Sequence, residues 1–208
     1  GRPAPDDYAY RTRVKALSAI KLWCRLQYDV DITDEVQHIA SGEPAPFDPP
    51  YISTDDVERT VADAGDDCDC DGCRAALRVT YDAILRAAEL TQIRMDHLDL
   101  DAGTLDVKAV KGSMNATVSL DDQTVSALED HIRRNDVADK VFTNSYGNGW
   151  KPSSWCSHFR NYHHEVGAHS FGRHSPIVHR LQDGEPFGEV YRRARHTNPT
   201  MTSRYARV

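Results

Sequence analysis

The run His196-Thr-Asn-Pro-Thr-Met-Thr-Ser-Arg-Tyr205 places a histidine nine positions ahead of a tyrosine, and an Arg-His pair stands upstream at Arg173 and His174. Tyrosine is a rare nucleophile. Its phenol has a pKa of about 10, so it attacks only where cations lower the cost of the phenolate or a base takes the proton. A tyrosine reached through a run of Arg and His points to attack on a phosphodiester. Such a cleavage has three needs: positioned cations for the charge growing on the nonbridging oxygens, an acceptor for the tyrosine proton, and a donor for the leaving 5′-oxygen.

The elements that must hold these groups are legible in the periodicity. Residues Tyr10 to Gln27 read as a helix with Val14, Leu17, Ile20 and Cys24 on one side and Arg11, Arg13, Lys15, Lys21 and Arg25 on the rest. Gly42 to Pro50 is a Pro-rich linker. Ser53-Thr-Asp-Asp56 caps a helix through Ala64. A long helix is expected from about Arg74 to Ile93, with Leu77, Tyr81, Ile84, Leu85 and Ala88 at a 3.6-residue period. That stripe leaves Arg86 on the opposite side with Arg78, Asp82 and Glu89, where it can face a cleft or pair with Asp82 or Glu89. Three alternating stretches, His97 to Leu100, Thr104 to Val110 and Ala116 to Leu120, predict a small antiparallel sheet with Lys111 at a hairpin tip. Helices follow from Asp121-Asp122 to Arg134, from Ser153 or Ser154 to Val166, from His174 to Gln182 and from Phe187 to Ala194. A last short helix after Pro199 holds or adjoins Tyr205. The fold class is α+β and mostly α.

Four segments in order carry a resemblance. They are Ala83-Ile-Leu-Arg86-Ala-Ala-Glu89-Leu, Val110-Lys111-Gly-Ser-Met-Asn-Ala-Thr-Val-Ser-Leu120, His169-Ser-Phe-Gly-Arg173-His174, and His196 through Tyr205. Together they resemble the catalytic domain of the tyrosine recombinases, the phage-integrase family, over residues 51–208. The resemblance implies a helical domain with a three-stranded sheet. It implies that Arg86 and Arg173 clamp the nonbridging oxygens, Lys111 protonates the 5′-oxygen, His169 assists proton transfer or bonds the phosphate, His196 holds a phosphate oxygen and Tyr205 attacks. It makes residues 1–41 the end of a DNA-gripping arm and 42–50 its linker, with Arg11, Arg13, Lys15, Lys21, Arg25 and Arg204 as further DNA contacts. Two departures stand out. The family pattern is His-x-x-Arg, whereas here His169 lies four before Arg173, with Ser170 in the strict histidine register. The family's first-arginine motif begins with glycine, and Ile84 stands near that place.

The chain is acidic, with a net charge of −7 at pH 7, which by itself argues against a DNA binder. The charge is uneven. Residues 151–208 hold nine Lys/Arg, four Asp/Glu and seven of the ten histidines. Asp outnumbers Lys 24 to 6, a composition that resembles adaptation to a high-salt cytoplasm and equally fits an ordinary acidic protein. High salt weakens phosphate binding driven by counterion release, so short bidentate Arg contacts are favoured. No apolar run nears 18 residues and no signal peptide is visible, so a cytoplasmic location is expected. The chain opens on Gly-Arg-Pro without Met and reads as a piece of a longer one. Cys68, Cys70 and Cys73 form a Cys-x-Cys-x-x-Cys cluster that could hold zinc, but four ligands are wanted and no partner pair is evident.

The implied activity is site-specific strand exchange through a 3′-phosphotyrosyl bond, without ATP, metal or cofactor, on double-stranded DNA attachment sites by a homo-tetramer. Integration or excision of a mobile element is the expected task. The competing readings are a type IB topoisomerase-like enzyme, a recombinase fold that only binds DNA, and, ranked last, a metal-dependent hydrolase.

Overall fold

The computed structural model describes residues 10–36, 49–66, 72–110 and 113–207. The chain divides into two compact units, Gly1–Phe47 and Asp48–Val208. In the first, α1 spans Tyr10–Tyr28 and α2 Thr33–Val36. α1 ends where Asp29 turns left-handed, and Asp31 then accepts the Thr33 N–H at 2.9 Å while its other oxygen pairs with Arg25. Leu17 is buried, but Ile20, expected beside it, is exposed.

The second unit begins with α3, Thr54–Asp66. The Ser53 hydroxyl accepts the Asp56 N–H at 3.1 Å, and Asp55 and Asp56 face the positive end of the helix. α4, Cys73–Asp82, is the central helix; Cys73, Ala76, Leu77, Val79 and Thr80 are buried along it.

The long helix expected to reach Ile93 stops at Asp82. The Leu85 N–H bonds back to Thr80 O at 2.9 Å and the Ile84 N–H to Tyr81 O at 3.3 Å, the two bonds of a Schellman stop. That stop needs a left-handed residue, and Ile84 supplies it at φ +51°. Glycine takes this conformation freely, and a β-branched residue takes it at a cost on the order of 1–3 kcal/mol. The glycine of the family pattern therefore has a physical role that Ile84 performs under strain. Arg86 is then extended and opens a separate short helix, α5, Ala87–Leu90.

The sheet is antiparallel in the order β1-β2-β3, with β1 Leu98–Asp99, β2 Thr104–Val107 and β3 Ala116–Ser119. Leu98 faces Leu105 and Leu105 faces Val118, so the inward positions meet across the sheet. Each strand is shorter than its alternation suggested. The expected hairpin tip at Lys111 lies outside the described residues, as do Cys68 and Cys70 and most of the Pro-rich linker.

α6, Asp122–Asn135, is capped by the Asp121 carboxylate on the Thr124 N–H at 2.6 Å. α7, Pro152–Phe159, ends earlier than Val166, because the polar run after it turns back and the His163 ring accepts the Val166 N–H. A ladder of rings, His131, Phe142, Trp150, Trp155, Phe159 and Phe171, links α6 through α7 to the next element with centroids 5.1–6.2 Å apart. That element is a π-helical turn, Ser170–His174, running into α8, Ser175–Gln182. α9, Phe187–Arg193, α10, Pro199–Ser203, and a 3-10 turn, Tyr205–Arg207, follow.

Candidate active site

The C-terminus of α4 is the floor of the site. The last carbonyls of a helix lack intrahelical donors and sit at its negative end. Four arginines fill that role here. Arg180 and Arg193 donate to Asp82 O at 3.2 and 2.9 Å, and Arg195 donates to Ala83 O at 2.9 Å. Arg173 Nη1 and Arg195 Nη2 share Ile84 O at 2.9 and 2.6 Å. The buried Asp82 carboxylate takes both Arg180 and Arg193 and also accepts the Asp121 N–H, which fixes the start of α6.

Arg86 follows directly. It does not project from the far side of a long helix; it stands at the N-cap of α5. Its N–H and Nη1 both go to Glu89, at 2.8 and 2.9 Å. Of the two pairings open in the sequence, Glu89 is the one formed. Glu89 is fully enclosed, and Arg195 Nη2 reaches its second oxygen at 2.9 Å. Burial pushes the Glu89 carboxyl up, but Arg195 and the bonds from Arg195 and Arg86 outweigh it and leave the group ionised.

The extra residue between His169 and Arg173 is absorbed by the π turn: the Ser175 N–H bonds to Ser170 O, one residue wider than an α-helix. Gly172 lies against α4, where an added Cβ would stand 2.4 Å from Thr80 Cγ2 and 3.0 Å from Leu85 O. This close approach carries the next residue, Arg173, under the α4 terminus. Arg173 is 2% exposed, and its Nη2 is buried with no hydrogen-bond partner among the described residues. Burial, then Arg86 and Arg195, pull its pKa down to about 9. A charged donor so placed is short of an anion, and a phosphodiester oxygen is the anion it fits.

His169 is an exposed residue. Desolvation of its ring by its neighbours, then the charges of His174, Arg173 and Arg86, lower its pKa to about 4, so it is neutral at pH 7. The His174 ring lies edge-on to His169 at 4.9 Å and tilted to Tyr205 at 5.7 Å. The His196 ring lies nearly parallel to Tyr205 at 6.4 Å. The Thr202 hydroxyl meets His196 Nδ1 at 2.7 Å. Burial and the charges of Arg173, Arg86 and Arg195 bring His196 to about 3. The hydroxyl can donate to Nδ1 or accept from it; when it donates, the neutral ring carries its proton on Nε2, the form that can donate to a phosphate oxygen.

Tyr205 is positioned by α10. The Asn198 side chain caps it by accepting the Thr200 N–H at 2.9 Å, Pro199 starts it, and the chain tightens into the 3-10 turn at Tyr205. The tyrosine is buried in the site of its own chain. Burial raises its pKa, against the pull of Arg173, Arg204 and Arg86, so the phenol holds its proton at neutral pH.

Thus Arg86, His169, Arg173, His196 and Tyr205 converge, with Arg204 alongside. Lys111 is outside the described residues, and Arg13, Lys15, Lys21 and Arg25 are on α1 in the other unit; the Arg11 side chain is also outside them. Among the described residues no cluster of three His, Cys, Asp or Glu is placed to hold a metal ion.

Two features escaped the sequence reading. Arg195 is one of the nine Lys/Arg of residues 151–208, and nothing in the sequence singles it out. The 25 residues 140–164 contain no Asp or Glu in a chain with 32 of them, and they carry Lys140, Lys151, Arg160 and three histidines. Lys140, Asn144, Asn148, Lys151, Ser154 and His158 line a groove of about 650 Å³ there. The absence of acid was visible in the sequence as a signal for a polyanion surface.

Residues 50–208 match the model of the phage integrase family. The chain is 28% identical over 177 residues to the tyrosine recombinase XerC of Natranaerobius thermophilus, across 77% of this chain and 58% of that protein. It therefore spans less than two thirds of that relative's length. Its fold is similar to the crystal structure of XerA recombinase, with a TM-score of 0.70 and 18% identity over 99% of this chain and 81% of that one. It is also similar to the Tn1549 transposon integrase in complex with transposon right end DNA, with a TM-score of 0.72 and 12% identity over 96% and 76%.

Proposed function

From the premise that this chain belongs to the phage integrase family, we propose that it is the catalytic part of a site-specific DNA recombinase that cuts through a 3′-phosphotyrosyl intermediate. The observation that carries the reading is the buried, anion-short guanidinium of Arg173, which lies beside Arg86 and within the same pocket as a protonated tyrosine.

Arg86 and Arg173 hold the nonbridging oxygens of the scissile phosphate, and His196 Nε2 donates to one of them. Tyr205 Oη attacks phosphorus and loses its proton as the P–O5′ bond breaks. His169, neutral at pH 7, takes that proton directly or through His174. Lys111 gives a proton to the departing 5′-oxygen. The phosphodiester energy stays in the Tyr205–phosphate ester, so a free 5′-hydroxyl of a second duplex reverses the step and rejoins the strands without ATP. The acid-free segment 140–164 lies along the flanking duplex backbone, with Arg204 near the cut. α1, carrying Arg11, Arg13, Lys15, Lys21 and Arg25, belongs to the arm that grips the opposite face, with residues 1–41 as its end and 42–50 as linker. The partners are double-stranded attachment sites and three further copies of the chain. The setting is cytoplasmic and saline, and the task is movement of a mobile element.

The test is a covalent-adduct assay with nicked duplexes of the element's attachment region, run across potassium chloride from low to molar. An SDS-resistant protein–DNA species is expected, and Tyr205→Phe should remove it while leaving DNA affinity nearly intact. An adduct that survives in the Phe variant refutes the nucleophile. Clear binding with no adduct refutes strand cleavage and favours a recombinase fold that only binds DNA.

A further inference from the structure

We propose that Arg195 is a positioning residue for strand cleavage: its buried guanidinium fixes, through the Glu89 carboxylate and the Ile84 carbonyl, the two arginines that face the scissile phosphate. This rests on the reading of the site as a phosphodiester cleavage centre.

Both terminal nitrogens of the Arg195 guanidinium are engaged, while its Nε is buried with no partner among the described residues. Arg195 is 0% exposed. Nη2 donates to Ile84 O at 2.6 Å and to Glu89 Oε2 at 2.9 Å; Nη1 donates to Ala83 O at 2.9 Å and Arg193 O at 2.5 Å. The first two acceptors are not private. Ile84 O also takes Arg173 Nη1, and Glu89 Oε2 also takes the Arg86 N–H while its other oxygen takes Arg86 Nη1. Through two shared acceptors, one guanidinium is joined to both arginines of the proposed clamp without touching the substrate itself.

Folding alone does not call for this residue. Arg195 is the left-handed residue that ends α9, at φ +51°. Glycine makes that turn without strain, whereas a side chain there costs about 1 kcal/mol or more. Burying a guanidinium costs several kcal/mol before its partners repay it. The chemistry does call for it. Around Glu89, the guanidinium groups of Arg86, Arg173 and Arg195 leave an excess of two positive charges. A phosphodiester brings one negative charge and the phosphorane-like state two, so cations held here favour the transition state over the ground state. An uncharged residue at 195 would halve that excess and leave Glu89 to pull on Arg86 alone.

The experiment is single-turnover cleavage of a nicked duplex, with DNA affinity measured alongside, for the wild type, Arg195→Met, Arg195→Lys, Glu89→Gln and the Arg195→Met/Glu89→Gln pair. Arg195→Met is expected to slow cleavage about 100-fold, the scale of a clamp displaced by about 1 Å, with affinity within about threefold. Arg195→Lys should regain about tenfold, since one ammonium cannot bridge both acceptors in the fork geometry. The pair should be little worse than its poorer member, because both changes act on Arg86. Wild-type cleavage by the Met variant overturns the inference, as does a loss shared equally by affinity and rate. Should the Met variant not fold, Arg195→Lys decides: a rate loss at unchanged affinity supports the assignment, and a wild-type rate overturns it. Absence of an adduct in the wild type would instead remove the cleavage reading, and this inference with it.

Discussion

Substituting Gly172 by alanine tests whether the second box is seated on α4 as tightly as its geometry indicates. The new methyl would lie 2.4 Å from Thr80 Cγ2 and 3.0 Å from Leu85 O. Carbon atoms rest about 3.5–4.0 Å apart, so the overlap with Thr80 exceeds about 1 Å. Neither neighbour gives way cheaply. Thr80 is fully buried and β-branched on a helix, and Leu85 O is backbone one residue before Arg86. Alanine gains up to about 1 kcal/mol over glycine in helical backbone, while overpacking costs about 1–3 kcal/mol. The net loss is about 1–2 kcal/mol, or a fall in Tm of roughly 2–8 °C for a unit of this size. The larger effect is on chemistry. Moving the π turn off α4 stretches the Arg173 bond to Ile84 O, and a displacement of about 1 Å costs on the order of 100-fold in cleavage. Thermal unfolding and single-turnover adduct formation measure the two effects. Thr80→Ser removes the clashing methyl but not Leu85 O, so adding it to Gly172→Ala should restore part of both losses. A higher Tm with unchanged cleavage in Gly172→Ala would refute the close seating.

Acidification should destabilise the fold. His196, buried at about 3, stays neutral in the folded state, while the unfolded ring takes a proton below about 6.5. Its contribution is therefore complete above about pH 6.5 and is lost as pH falls toward 3, at about 2 kcal/mol between pH 6.5 and 5. His174 and His179 are shifted down by burial and act with the same sign. A Tm that holds or rises from pH 7.5 to 5 contradicts this. Deleting Ser170 should convert the π turn to α-helix and set His169 three before the arginine, the spacing of the family pattern. Adduct formation within about tenfold of wild type is expected. Its complete loss, with the fold intact by circular dichroism, would mean that the wider turn is required.

The local rules exposed much of this architecture. Ser53 before Asp56, Asp121 before Thr124, and Asn198-Pro199 before the tyrosine are short-range caps, and each forms as its residue types predict. The spacings that tie Arg173, His196 and Tyr205 also translate directly into neighbouring side chains. The break after Asp82 was hidden, because Ile84, Leu85 and Ala88 continue the 3.6-residue period of α4 and no glycine interrupts it. The reason is tertiary: the stop depends on carbonyls that meet arginines about 90 to 110 residues away in sequence. Arg195 was hidden for the same reason. Nothing local separates a buried arginine from Arg192, three residues before it, which is exposed and paired with Glu189.

Three departures from local preference meet at one atom. Ile84 ends α4 in a left-handed conformation that suits glycine, Arg195 ends α9 in the same way, and the second box is wound as a π turn. Taken singly, each costs stability with no local return. Together they converge on Ile84 O: the first turns that carbonyl out of the helix ladder, the second sends Arg195 Nη2 to it, and the third brings Arg173 Nη1. Two charge-assisted hydrogen bonds to a buried carbonyl at the negative end of a helix offset part of the strain. They also fix Arg173 with its Nη2 unpartnered among the described residues. A straight continuation of α4 would place Ile84 O in the helix ladder and leave Arg173 nothing to brace against. Strain concentrated where two buried cations are held against one carbonyl is what the proposed phosphate clamp requires.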